Sequence, residues 1–371
     1  MIWIHCGDAR EVPSTTSIAA RLAHECGDHG VLVTATPDVL LSFNLPEDIA
    51  TVVAVPTDTP SKIREFWDRW GPDYLIWNGG TLRPSLLRIV ENESLPATLI
   101  NARNAGLLTG SSRWRPRAVR GAVAAFDQVL TADGATATRL NRGGVARDRV
   151  KATGPILEEP TAPPHNQYEL AVMVEAIDTR PSWFAANVIA TEVKDIAAAH
   201  LAASRKSHLL LLIITPRDIE SGIDVANTLR EAGLKVGVRS EGDDPEAEHQ
   251  AYVADMDGEL GLWYRLAPLT FVGGTLGGSD ADSPFDPIVL GSAVVHGTHK
   301  APHEARFARL AKAEACREIR SAGELGIAVG VLSSPEQSAR MALAGWEEIT
   351  RNADTINDLV RGVLDSLEVH S

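Results

Sequence analysis

Two doubly wound α/β domains, each a parallel sheet with helices on both faces, are the fold this sequence predicts. Three observations lead there. Short apolar runs of strand length alternate with helical segments along the whole chain. Residues 209–214 are apolar at nearly every position, as strands covered on both faces are. A Pro-rich stretch over 158–166, holding Pro160, Pro163 and Pro164, divides one alternating series from the next. At 371 residues the chain is long enough for two domains of ordinary size.

In the first series, strands are expected at 2–4, 31–34, 51–55, 74–77, 97–101 and 128–131. Helices are expected over about 13–26, with Ser14, Thr15 and Thr16 as cap candidates, and over 62–70. Val150 to Pro155 closes this half. In the second series, strands are expected at 170–174, 209–214, 236–238, 251–253, 269–272 and 293–295, with helices over about 188–203 and 224–232. The tail, 335–367, reads as helical throughout. The domain reading is 1–157, a linker at 158–168, a second domain at 169–345 and a terminal helix at 346–371. In such sheets ligands bind in the crevice at the C-terminal ends of the strands.

Composition narrows the function. Hydrophobic content of 44% and charged content of 23% are those of a globular protein in water. A net charge of −14 argues against nucleic acid as a partner and against broad contact with anionic membrane. The 3 cysteines are odd in number and far apart, which fits a reducing compartment and no disulfide framework. No apolar run is long enough to span a bilayer, and the N-terminus lacks a signal peptide's basic flank.

The most informative stretch is Phe271 to Pro287, FVGGTLGGSDADSPFDP. An apolar strand ends in a Gly-rich loop and restarts as a helix, with Pro284 or Pro287 suited to the first turn. Backbone N–H groups at such a helix start suit an anion. The spacing is not a dinucleotide fingerprint, because Thr275 stands where its second glycine belongs. Asp280 and Asp282 have an Asp-x-Asp spacing, but a calcium loop would need glycine where Phe285 stands. His296, His299 and His303 are not at ligand spacing, so neither metal nor cofactor is expected.

Taken with Pro216-Arg217 and Gly258-Glu259-Leu260 upstream, this stretch resembles the donor half of the 3-deoxy-D-manno-octulosonic acid (Kdo) transferases. Those enzymes move Kdo from CMP-Kdo to a lipid A precursor. The family reads Pro-Arg, Met-Gly-Glu-Leu, Phe-Val-Gly-Gly-Ser-Leu and Asn-Pro-Leu-Glu-Pro, and this chain keeps the order. The last motif is altered to Ser283-Pro284-Phe285-Asp286-Pro287. The resemblance implies a GT-B architecture, two Rossmann-like domains facing a cleft, with a terminal helix packing back on the first.

It also implies roles. Glu11-Val12 falls at the family's Gly-Glu-Val, whose glutamate is the general base, with Asp8 as the alternative. Arg10, glycine in the family, is expected to pair with Glu11 and lower its pKa. Pro216, Arg217, Gly258, Glu259, Leu260, Gly274, Ser283, Asp286 and His299 would hold the CMP-sugar donor. Arg217 suits phosphate because a guanidinium can bond two oxygens at once. Asp218, where the family commonly has His, adds negative charge there. The basic cluster Arg113, Trp114, Arg115 and Arg117 would face a phosphorylated lipid acceptor. The implied location is cytoplasmic, with peripheral contact to the inner membrane. Family members usually open with a hydrophobic anchor, whereas this sequence opens at its first strand.

Four motifs depart from the family. Glu-Thr-Glu-Leu-Trp-Pro becomes Gly79-Gly80-Thr81-Leu82-Arg83-Pro84, and Asn-Leu-Lys becomes Pro155-Ile156-Leu157. Ser-Thr-His becomes Asn187-Val188-Ile189, and Arg-Gly-Gly-His becomes Ser279-Asp280-Ala281-Asp282. Each charge-assisted bond lost is worth about 1.5–3 kcal/mol. Other readings are therefore a different nucleotide-sugar transferase on the same scaffold, or a catalytically degenerate homologue that binds a nucleotide or a partner.

Overall fold

The computed structural model describes residues 1–27, 29–104, 121 and 123–370. The proposed acceptor cluster, Arg113, Trp114, Arg115 and Arg117, lies outside the described residues. The chain divides into two compact units, one of residues Met1–Glu159 with the chain from Asn352 onward, the other of Pro160–Arg351.

The first unit is built on a 7-stranded sheet with the order β3-β2-β1-β4-β5-β6-β7. Its strands are β1 (Ile2–Cys6), β2 (Val31–Ala35), β3 (Thr51–Ala54), β4 (Tyr74–Asn78), β5 (Ala97–Ala102), β6 (Gln128–Thr131) and β7 (Val150–Ala152). All pairings are parallel. Between them run α1 (Val12–Glu25), α2 (Pro37–Leu40), α3 (Pro60–Trp70), α4 (Pro84–Asn92) and α5 (Gly134–Arg142). The first four carry Pro in the first turn, where the missing N–H costs nothing. Alternation along β1 sends Ile2 and Ile4 to one face, against Ile18 and Leu22 of α1. Trp3 goes to the other face, with Ile63 and Phe66 of α3.

The second unit has its own 7-stranded sheet, in the order β10-β11-β9-β8-β12-β13-β14. Here β8 is Ser182–Val188, β9 Leu211–Pro216, β10 Val236–Val238, β11 Ala251–Val253, β12 Leu269–Val272, β13 Ala293–His296 and β14 Cys316–Glu318. The helices are α6 (Gln167–Ile177), α7 (Val193–Ser204), α8 (Gly222–Glu231), α9 (Leu260–Leu266), α10 (Phe285–Val289), α11 (Glu304–Lys312), α12 (Ala322–Leu332) and α13 (Pro335–Thr350). The last helix, α14 (Ala353–His370), belongs to the first unit, where Ile356, Val360 and Val363 join the core of α1 and β1. Among the described residues no helix is long and apolar enough to cross a membrane.

The two doubly wound sheets follow the sequence expectation, with two corrections. The strand expected at 170–174 is helical, within α6. Asn166 Oδ1 accepts from the N–H groups of Tyr168 and Glu169, which starts a helix. Met173 and Ile177 then fall on one buried face, while Val174 is 53% exposed. The strand of that position is β8, seven residues of which only Asn187 is not fully buried. The second correction is the tail, which breaks at Arg351–Asn352 into α13 and α14. Asn352 Nδ2 there donates to the carbonyl of Pro155.

In each sheet the chain crosses from one side of its first strand to the other, between β1 and β4 in the first sheet and between β8 and β12 in the second, and these are the reversal points of the strand order. At the first, the loops leaving β1 and β4 press backbone to backbone. A Cβ on Gly7 would lie 2.3 Å from the Gly79 carbonyl oxygen, and one on Gly80 2.1 Å from that of Gly7. Gly7→Ala should therefore lower the stability of the first unit by about 2–3 kcal/mol. Gly134→Ala, with nothing within 4 Å, should change it by less than about 0.5 kcal/mol. Urea unfolding midpoints for the two variants check the contrast.

Candidate active site

Glu11 stands at the first reversal point. The loop after β1 makes a 3-10 turn, Ala9–Glu11, started by Asp8, whose side chain accepts from the Arg10 N–H at 3.1 Å. Glu11 is then the residue that caps α1. Its side chain is only 3% exposed and lies over Gly79, where a Cβ would meet Glu11 Cγ at 2.9 Å. Oε2 accepts from Asn101 Nδ2 at 2.8 Å, and Oε1 is bonded by Arg103 Nη1. Arg10 is not the partner that the sequence suggested. It pairs with Asp8 at 2.7 Å, because the turn points their side chains together at the surface.

Asn101 is the hub. Its backbone has φ +52°, in the left-handed region, and the β5–β6 register shifts between Leu99 and Ala102. This bulge re-aims the side chain. Besides Glu11, Nδ2 donates to Asn78 Oδ1 at 2.9 Å and to the Ile156 carbonyl at 2.9 Å, and Oδ1 accepts from the Ile156 N–H at 2.7 Å. Asn78 in turn donates to Ser14 and Thr15 at 3.0 and 2.9 Å. The carboxylate is thus fixed by a buried polar network that reaches α1, β4 and β5. Burial pushes the pKa of Glu11 up, and Arg103 opposes that without cancelling it. A carboxylate moved up toward neutrality is a better base than an ordinary one. His5 is nearby in sequence but acts as core: its ring packs tilted against Trp77 at 4.1 Å, and burial with the Arg83 charge lowers its pKa to about 3.

The second reversal point repeats the device with a different outcome. The turn Ala190–Glu192 follows β8, and Glu192 precedes α7 as Glu11 precedes α1. Glu192 is 1% exposed, and its oxygens accept from the backbone N–H groups of Gly274, Leu276 and Gly277 at 2.7, 2.9 and 3.0 Å. The expectation that this Gly-rich loop offers its donors to an external anion is therefore corrected: an internal carboxylate takes them. Nor does the loop feed a long helix, since α10 has 5 residues and starts after Pro284.

The loop instead brings side chains together. Arg217 donates to Ser279 Oγ at 3.0 Å and to the Gly273 carbonyl at 3.4 Å, and lies 3.9 Å from Asp282. Asp282 also accepts from Asn187 Nδ2 at 2.6 Å. Asn187 has φ +49° at a register shift of β8 on β9, the counterpart of Asn101. Gly274 has φ +79° and sits against Arg217, whose Nη2 would be 2.9 Å from a Cβ there. Pro216 ends β9, and the Arg217 N–H donates to the Val188 carbonyl at 2.9 Å. Ser283 Oγ accepts from the Phe285 N–H at 3.3 Å. Asp286, half-buried, has its pKa raised by burial. The His299 N–H bonds the Thr275 carbonyl at 3.0 Å, tying that segment to the same loop.

Other residues go elsewhere. Asp218 is exposed and caps the turn before α8, accepting from the Glu220 N–H at 3.3 Å. Gly258 has φ +76° and precedes α9, which Leu260 opens. Glu259 neither meets solvent alone nor is free for a ligand: it forms a two-point pair with Arg239 at 2.6 and 2.7 Å. Arg239 also bonds Glu169 at 2.8 Å. Sequence reasoning missed Asn101, Arg103, Glu192 and Arg239. The signal for the first two was there, an Asn-Ala-Arg run leaving an apolar parallel strand at its C-terminal end.

Glu192→Gln should lower the stability of the second unit by at least about 3 kcal/mol, since one oxygen is replaced by a donor that faces N–H groups. Urea unfolding followed by the fluorescence of buried Trp183 and Trp263 checks this; a loss under about 1 kcal/mol would show the loop is held otherwise.

Comparison with known proteins finds relatives along the chain. Residues 1–157 match the family model described as 3-deoxy-D-manno-octulosonic-acid transferase (kdotransferase). The chain is similar to the 3-deoxy-D-manno-octulosonic acid transferase of Haemophilus influenzae, 25% identical over 97% of this chain and 85% of that one. It is 26% identical to the Bordetella pertussis enzyme of the same name, over 85% of this chain and 73% of that one. Among solved structures, the C-terminal CMP-Kdo binding domain of WaaA from Acinetobacter baumannii is similar at 24% identity and a TM-score of 0.46, covering 49% of this chain and 96% of that one. With a family model over residues 1–157 and relatives of 25% and 26% identity aligned along most of its length, the chain is similar to the 3-deoxy-D-manno-octulosonic acid transferases.

Proposed function

We propose that the protein is a glycosyltransferase that moves Kdo, or a related sugar acid, from its CMP-activated form to a hydroxyl of a phosphorylated lipid of the lipid A type. Glu11 is the base. As the acceptor oxygen attacks the anomeric carbon, its proton passes to a Glu11 oxygen. The bond from that carbon to the CMP phosphate breaks, and CMP leaves with the electron pair. The observation that carries this reading is a buried carboxylate, fixed by a polar network at a reversal point of a parallel sheet, in the register of the family's base. Arg217, Ser283, Asp286 and the Gly274 loop form the donor side, with Arg217 as the cation for the phosphate. Action on a lipid would bring the protein to the cytoplasmic face of the inner membrane as a peripheral contact, and Arg113, Trp114, Arg115 and Arg117 are the residues proposed to meet the acceptor.

A second reading is a nucleotide-binding homologue without turnover. Its support is Asp282, which places a carboxylate 3.9 Å from Arg217 and so opposes a bound phosphate.

CMP release from CMP-Kdo with a tetra-acylated lipid A precursor separates the two. On the transferase reading, Glu11→Gln should slow release by about 100- to 10,000-fold while CMP affinity stays within about twofold. Release by the wild type should rise with pH through the raised pKa of Glu11, above the ordinary carboxylate range. Unchanged release in Glu11→Gln excludes Glu11 as the base. CMP binding by calorimetry with no release under any condition favours the second reading.

A further inference from the structure

Arg103 covers Glu11. The carboxylate is 3% exposed, whereas the Arg103 side chain bonded to it is 29% exposed. The other bond, from Asn101, comes from inside the buried network. Oε1 thus faces outward through a single cation, and that cation reaches solvent. Arg103 is the residue next after β5, and its own remaining contact is a long one, 3.5 Å to the Asn101 carbonyl. Among the described residues the guanidinium makes no further hydrogen bond to the core, while the carboxylate has a second anchor.

Resting on the transferase reading, we propose that Arg103 is a latch on the base. In the free protein it keeps the Glu11 carboxylate ionised but covered. A phosphomonoester on the acceptor competes for the guanidinium and draws it off Oε1. The uncovered oxygen then meets the acceptor hydroxyl, and Glu11, without its counter-charge in a buried site, becomes a stronger base. Arg103 is in this sense a positioning residue that couples recognition of the acceptor's negative charge to activation. Asn101 holds Oε2 throughout, so the carboxylate does not swing. An acceptor without phosphate would leave the latch closed, which gives selectivity for charged acceptors without an extra contact at the reacting hydroxyl.

The test follows the Glu11 carboxyl by carbon-13 NMR in the full chain with labelled glutamate, its signal identified as the one missing in Glu11→Gln. The probes are glucosamine 1-phosphate, inorganic phosphate and glucosamine, each added without donor. In the wild type, glucosamine 1-phosphate should raise the titration midpoint of Glu11 and glucosamine should not. Inorganic phosphate matching the full effect would mean that the charge alone opens the latch; a smaller effect would mean that the sugar helps to seat it. Arg103→Gln should raise the midpoint without any ligand, by roughly one to three pH units, and remove the response to phosphate. Arg103→Lys should restore the response in part, and it also serves if the Gln variant does not fold. In turnover, the acid limb of the pH–rate profile should move upward in Arg103→Gln. An Arg103→Gln midpoint equal to the wild type's overturns the hold, and a wild-type midpoint that glucosamine 1-phosphate leaves unmoved overturns the release. Because the titration needs no donor and no turnover, absence of CMP release with a normal titration response would sink the transferase reading and leave the latch standing.

Discussion

A glutamate buried at the point where a parallel sheet reverses its strand order is the constraint the rest of the molecule answers to. It occurs twice. In each unit the first strand ends, a 3-10 turn follows, and a glutamate closes that turn just before a helix. In each the strand across the reversal point supplies a glycine against it, Gly79 in one and Gly274 in the other. A charge in such a place must be matched, or it neutralises. The two units match it differently. Glu192 is matched by backbone N–H groups, which belong to the fold and cannot leave. Glu11 is matched by two side chains, one of them part-exposed. The first arrangement makes a rivet. The second leaves the carboxylate with one partner that reaches solvent.

The departures from the family's motifs also fall into place as pairs. A residue with a side chain at position 79 would meet Glu11 Cγ at under 3 Å, so the loss of the family glutamate there fits the position that Glu11 occupies. Asn187 and Asp282 replace two motif residues that lie far apart in sequence, and they bond each other at 2.6 Å. Ser279, a third replacement, accepts from Arg217 at 3.0 Å. Substitutions that satisfy one another preserve a folded loop even as they change its charge. The net change is toward negative charge beside Arg217, which opposes an anion at that place.

Much of this fold could be read from sequence, because a buried parallel strand needs an unbroken apolar run. Leu211 to Ile214 and Leu269 to Val272 are examples. Leu170 to Val174 misled for the same reason: five apolar residues suit a buried strand or a helix face, and the cap at Asn166 decides. Cys316 to Glu318 is the opposite failure, a sheet-edge strand with two charged residues and no apolar run. Glu11 could be placed only by register with a family motif. Its partner could not, since Arg10 and Arg103 are equally cationic and only the geometry of the turn sends one to Asp8 and the other to Glu11. Glu259 was legible as a carboxylate but not as one engaged by Arg239, twenty residues upstream after a different strand.

The two asparagines explain why the sites tolerate strained backbone. Asn101 and Asn187 both take positive φ inside a strand, where most residues would pay about 1–2 kcal/mol. Glycine would adopt that backbone more easily but brings no side chain. Asparagine tolerates the conformation and carries a donor and an acceptor on a short stem. At Asn101 that stem meets Glu11, Asn78 and both backbone groups of Ile156. At Asn187 it meets Asp282. The bulge is what turns each amide toward the loops instead of into the sheet's layers. Strain, side-chain choice and register shift are therefore one feature at each site, and altering any one of them removes the reason for the other two.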